Sequence, residues 1–349
     1  MKRSRRLTIP ACSGAALVLA VACGSFSSDT TEATDGGAEG ASPGTEAGAG
    51  DGPTTRDAGG DGAVAPASAE IASGLNDLEG IAATDTTVFV LEHDPGHVRA
   101  VSIGGGTVAT IDPNAGAPLG IAVANGSVYW GDFGTVRRVT RQPLDGAAPS
   151  STNTSVKAPF AIAGASDRIV VATITGSVGE IAQFKFDLSP GGAVGGLGNV
   201  FDVAVSGGDI YWTESGTGRI GHGTTGTGTN ETFAMDQGDC QSIAADSSGV
   251  YWIKRSDGLI RSKVAGAVGD LASGELSPHS LTSDGTYLYW LTRDGKLRRL
   301  DHTPGSKPTT LAEGFATDFD FQPRARALAW TPTYLVWFTT DGHIFRLPR

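Results

Sequence analysis

"GIAVANGSVYWGD" at residues 120–132 sets an apolar stretch, a tight turn and an aromatic pair side by side. The same plan returns as "VAVSGGDIYWTE" from 203, "IAADSSGVYWIK" from 243 and "LTSDGTYLYWLT" from 281. The apolar residues that open such units are Ile81, Ile121, Ile162, Val203, Ile243, Leu281 and Leu328, at intervals of 40, 41, 41, 40, 38 and 47 residues. Nine positions after each opener stands Val90, Trp130, Val171, Trp212, Trp252, Trp290 or Trp337. A fixed internal spacing inside a period near 40 residues marks a repeat architecture of seven units.

Each unit reads as short strands rich in β-branched and aromatic residues, punctuated by turns of the Asp-Gly type such as "DSSG" and "SDG". In the second strand both faces are apolar: Val128 and Trp130 lie on one, Tyr129 on the other, and the other units repeat this. A strand apolar on both faces must be covered on both. Four-stranded sheets packed face to face around an axis meet that need, so the expectation is an all-β, seven-bladed β-propeller over residues 69–349. The last unit stops after three strands, and "AEIASGLNDLEG" from Ala69 supplies the missing outer strand, closing the ring. The aromatic pair then fills the wedge between blades, while the alanine after most openers permits close packing near the axis.

These repeats resemble the YWTD and NHL-like families of β-propellers, "YWGD" at Tyr129 and "YWTE" at Tyr211 coming nearest the first family's signature. The resemblance implies the architecture over about 280 residues and no particular binding residue.

The first 22 residues differ in kind. Lys2, Arg3, Arg5 and Arg6 precede the apolar run "SGAALVLAVA", the pattern of an export signal. "LAVAC" resembles a bacterial lipobox, which implies lipidation of Cys23; Ala20-Val21-Ala22 also satisfies the rule for an ordinary cleavage site at the same bond. Residues 23–68 follow as a Gly, Ala, Thr and Asp-rich stretch with too little apolar surface to offset the entropy of ordering, and are expected to form a disordered linker. Together these features lead to the expectation of a chain in the bacterial cell envelope, lipid-anchored at the outer membrane and facing either the periplasm or the surface. Once the signal is removed, 22 basic residues face 37 acidic ones, which argues against nucleic acid or anionic lipid headgroups as partners. Of the three cysteines Cys240 alone stays unassigned, and it reads as a packed thiol.

The chain starting each inner strand and the turn between second and third strands should open on one face, around the channel mouth. Two residues before the openers stand Glu79, Leu119, Phe160, Phe201, Gln241, His279 and Arg326, with Asp202 adjacent. This is the most varied ring near the axis, and therefore the candidate site. Arg326 would clamp an anion, His279 or Glu79 would act as a base, and Leu119, Phe160 and Phe201 would form an apolar floor. The long last interval carries "GFATDFDFQPRAR", an insertion expected to lie over the same face as a partial lid or a recognition loop. "EHDPGH" gathers His93, Asp94 and His97, which reads as turn chemistry more than as metal ligands. No cofactor is expected, a divalent cation remaining the open alternative. The functional expectation is a monomeric binding or scaffolding module for an envelope protein, a glycan or a small molecule. The alternative is a propeller enzyme, a lyase or a lactonase-like hydrolase, using the same mouth.

Overall fold

The first six repeat units each fold into one four-stranded antiparallel sheet, the seventh borrows its outer strand from Ala69–Ala72, and the seven sheets make up the propeller. The computed structural model describes residues 67–153, 157–264, 266–303, 305–319 and 326–349. The export signal, Cys23 and all of the expected linker but its last two residues lie outside the described residues. Blade one comprises Leu78–Ala83, Thr87–Glu92, His97–Ser102 and Ala109–Asp112 from axis to rim. Blades two to six begin with the inner strands Pro118–Ala124, Ala158–Gly164, Val200–Ser206, Cys240–Ala245 and His279–Ser283.

The nine-residue spacing is the register of the inner hairpin. Ile81 lies opposite Val90, Ile121 opposite Trp130, Ile162 opposite Val171, Val203 opposite Trp212, Ile243 opposite Trp252 and Leu328 opposite Trp337. A slip of one residue would turn every one of these side chains to the wrong face, so the apolar pattern holds the register. Trp130, Trp212, Trp252, Trp290 and Trp337 are fully buried, as are Tyr129 and Tyr251 on the opposite face of the same strands.

Turn glycines set the distance between neighbouring blades. At Gly96, Gly218, Gly258, Gly295 and Gly342, each in the turn between second and third strands, φ lies between 64 and 84°. Their carbonyls accept the backbone N–H of Ala115, Gln237, Glu275, Phe315 and Leu75, the residues that lead into the next blade. A Cβ on Gly258 would sit 2.4 Å from the Glu275 carbonyl oxygen, and one on Gly342 would sit 1.9 Å from that of Leu75. These turns thus need glycine for both conformation and space.

The last member of that series closes the ring. Ala69–Ala72 pairs with Ile344–Pro348, Ala69 opposite Arg346 and Ala72 opposite Ile344, completing a blade whose other strands are Leu328–Trp330 and Tyr334–Phe338. Ile71 and Leu75 are buried in the same cluster as Trp337, Phe338 and Ile344. Burying two such aliphatic side chains is worth about 3–6 kcal/mol in all, enough to hold a four-residue strand that could not stand alone.

Candidate functional site

The two sets of loops meet on one face as the topology requires. The residue after the second strand donates to the chain leading into the inner strand: His93 N–H to the Asp77 carbonyl at 2.9 Å, Ser215 to Asn199 at 3.2 Å, Arg255 to Asp239 at 3.1 Å. In blades one to six the register of the inner hairpin is interrupted at or beside the position two residues before the opener. A bulge re-aims the side chains it contains, so this ring is turned out of the regular pleat.

The candidate residues fare differently there. Arg326 is tied by its backbone to blade one, its N–H donating to the Glu79 carbonyl at 3.0 Å and its carbonyl accepting from Ile81 at 3.2 Å. Its side chain crosses the axis. Nη1 donates to the Ile162 carbonyl of blade three at 3.1 Å, and Nε stands 3.5 Å from Asp202 Oδ1 of blade four. Below this crossbar lies a channel cavity of about 270 Å³, walled by the openers and the residues after them, such as Ile81, Ala122, Val203 and Ala244. Arg326 is the one candidate residue that borders it.

Asp202 is buried and serves as an inter-blade brace. Its carboxylate accepts from the Val203 N–H at 2.8 Å, the Ile243 N–H at 3.1 Å and the Ser242 hydroxyl at 3.3 Å. Burial pushes its carboxyl above the usual range, against the pull of Arg326 and of the Ile243 and Val203 amides. Ser242 in turn accepts from the Leu281 N–H at 2.9 Å, and Ser280 accepts from the Ala327 N–H at 2.9 Å. The reading of the sequence missed Ser242 and Ser280. The signal was the position just before each opener, where Gly80, Gly120, Ala161, Asp202, Ser242, Ser280 and Ala327 are all small or short and polar.

His279 is buried with both ring nitrogens engaged, Nδ1 with the Ser280 hydroxyl and Nε2 with the Thr317 carbonyl, each at 3.1 Å. Nε2 can donate to the carbonyl while Nδ1 and the Ser280 hydroxyl satisfy each other, so neither nitrogen is free for a ligand. Phe319 packs edge-on to it at 4.8 Å, so the described part of the insertion, up to Phe319, packs into the protein here; residues 320–325 lie outside the described residues. Gln241 donates to Asp239 Oδ1 at 2.9 Å, Phe160 is buried and Phe201 half-buried.

Glu79 stands apart. Its carboxyl makes no hydrogen bond or ion pair among the described residues, and burial, reinforced by Asp77, pushes its pKa up to about 7. A partnerless carboxyl half-protonated near neutrality can accept from a ligand in one state and donate in the other.

The remaining motifs are structural in their contacts. Cys240 is buried, its thiol pushed up to about 12 by burial, which removes it as a nucleophile. His93 Nδ1 faces the Pro118 carbonyl at 3.4 Å and His97 Nδ1 faces Glu92 at 3.4 Å, so the two point to different partners. Among the described residues no group of three or more His, Cys, Asp and Glu is placed to hold a metal ion, and no helix is long and apolar enough to cross a membrane.

No family model matches the chain, and no curated protein does. Solved structures do. The WD40 β-propeller domain of Doa1 superposes with a TM-score of 0.64 at 14% identity, over 81% of this chain and 97% of that one. The fold is a β-propeller. The computationally designed Ika8 protein matches with a TM-score of 0.54 at 13% identity, over 80% of this chain and 98% of the other. At such identities the likeness carries the architecture and nothing of the chemistry. A propeller of this kind is compatible with a binding or scaffolding module.

Proposed function

We propose that the protein is an exported, lipid-anchored binding module of the bacterial cell envelope that holds its ligand at the channel mouth. The observation that carries this reading is Glu79, a largely buried residue whose carboxyl has no protein partner among the described residues, beside Asp202, Gln241, His279 and Arg326, which all have theirs. Its oxygens keep some contact with solvent, so a ligand hydroxyl or amine can reach them and supply the hydrogen bond that no protein group makes. The ligand classes that suit such a mouth are a glycan, a small molecule or a loop of an envelope protein, each able to present a hydroxyl or amine. The anchor rests on the basic start, the apolar run and the lipobox-like "LAVAC" that ends at Cys23.

Thermal-shift screening of the full chain against glycans, envelope fragments and divalent cations tests the site, with Glu79→Gln and Arg326→Ala as variants. A ligand that binds only the folded state raises the midpoint by mass action. A shift abolished by Glu79→Gln supports the reading; hits that ignore both variants place the ligand elsewhere and overturn it. Metabolic labelling with a fatty acid, lost in Cys23→Ser, tests the anchor separately.

A further inference from the structure

The seven repeats provide an internal comparison that singles out one inter-blade seam. The residue donating its N–H to the turn glycine faces the ninth-position residue of the blade that follows. Before blade five it is Gln237, whose Oε1 accepts from Trp252 Nε1 at 3.1 Å and from Arg261 Nη1 at 2.7 Å. Before blade six it is Glu275, which accepts from Trp290 Nε1 at 3.0 Å and from Arg298 Nη2 at 3.1 Å. In blade four Glu214, two residues after the tryptophan, does the same work for Trp212 Nε1 at 2.9 Å and Arg219 Nη1 at 2.6 Å.

In blade two both acceptors are cut short. The residue before it is Ala115, and the position of Glu214 is taken by Asp132, one methylene shorter. Asp132 Oδ1 is used by the N–H groups of Ala117 and Gly134, and Oδ2 stands 3.9 Å from Arg138 Nε. The donors remain. Trp130 Nε1, Arg138 Nε and Thr140 Oγ1 are buried and have no hydrogen-bond partner. All three residues line one cavity of about 240 Å³, bounded by Ile111 and Asp112 of blade one and by Pro149 and Ser150 of blade two's outer edge. Trp337 Nε1 also lacks a partner, but there Phe315 packs edge-on at 5.1 Å and Phe345 stacks at 5.6 Å, so apolar rings occupy the space.

We propose that this seam between blades one and two is a second binding site, which takes a small neutral molecule through the carbonyl oxygen of a carboxamide or N-acyl group. That oxygen takes the place that Gln237 Oε1 holds in blade five, accepting from the Trp130 indole and the Thr140 hydroxyl beside Arg138, buried donors that a small shift of the seam must uncover. The charge balance selects a neutral group. Arg138 already faces Asp132, and Asp112 lines the same wall, so an added carboxylate would meet two others. Blade five shows the same economy: Arg261 pairs with Asp270 at 2.6 Å, and its remaining acceptor is an amide. The volume is several times that of a single water, which occupies about 30 Å³ in the liquid. The site does not depend on the channel mouth.

Saturation-transfer NMR on the full chain, with propionamide and N-acetylglucosamine as probes and propionate as the charged counterpart, tests this. Transfer to the amide probes is expected, weakened about tenfold or more in Ala115→Gln, which supplies an internal amide, and several-fold in Thr140→Val, which removes one donor without changing shape. Ala115→Gln should melt at or above the temperature of the unaltered chain. Should it fail to fold, Thr140→Val carries the test alone. No transfer to either amide, leaving water as the occupant, overturns the proposal; so does transfer undiminished in Thr140→Val or in folded Ala115→Gln, or propionate binding as well as propionamide.

Discussion

Glu79 ties stability to pH at the level of one residue. Its folded pKa, about 7, lies above the ordinary 4.5, so the folded state holds the proton more tightly than the unfolded chain. The associated stability is fully present below pH 4.5 and is lost as pH rises through 7, an upper bound of about 3 kcal/mol. Glu79→Gln should therefore stabilise the protein in urea at pH 8 and change it little at pH 4.5; equal effects at the two pH values would refute the assignment. Asp202 predicts the opposite outcome on removal. Asp202→Ala takes the side-chain acceptor from the buried Val203 and Ile243 N–H groups and the counter-charge from Arg326, and is expected to cost about 2–4 kcal/mol at pH 7, read from the urea midpoint. Legibility at this scale was partial. Asp202 and Glu79 could be named from their place beside the openers, but a one-dimensional reading cannot tell a carboxylate with three donors from one with none.

At the scale of the turn and strand, the glycines of the second turn are the parts least open to change. Gly258→Ala meets both a φ of 65° and a carbonyl 2.4 Å from the new Cβ. Gly285→Ala meets a φ of 87° with open space around it. Conformational strain alone costs about 1–2 kcal/mol, so Gly285→Ala should lose about that much and Gly258→Ala clearly more, the blade junction having to move. Thermal unfolding of the pair measures the difference; equal losses would mean that the junction yields freely. The Asp-Gly punctuation was plain in the sequence. Its second purpose, making room for the next blade's backbone, belongs to a contact between residues 17 positions apart, Gly258 and Glu275.

For the whole molecule, closure by Ala69–Ala72 is the decisive joint. Deleting residues 69–74 leaves Ile344–Pro348 as an unpaired edge and uncovers Trp337 and its cluster. The expected result is a melting temperature lowered by ten degrees or more, at about 2–4 °C per kcal/mol for a chain of this size, with association through the bare edge. A monomer that melts as before would show that the ring needs no such latch.

The sequence by itself determined the seven blades, their hairpin register and the strand that closes the ring, because each rests on periodicity: one residue out of phase would bury polar groups and expose apolar ones. Only the tertiary structure decided that Arg326 spans the axis to blades three and four, that His279 is occupied on both nitrogens, and that the seam at Trp130 is left with donors and no acceptor. Those facts depend on where side chains from distant repeats end in space, and a single methylene between Asp132 and Glu214, or a bare Cβ at Ala115 where Gln237 has an amide, changes the chemistry without disturbing the pattern.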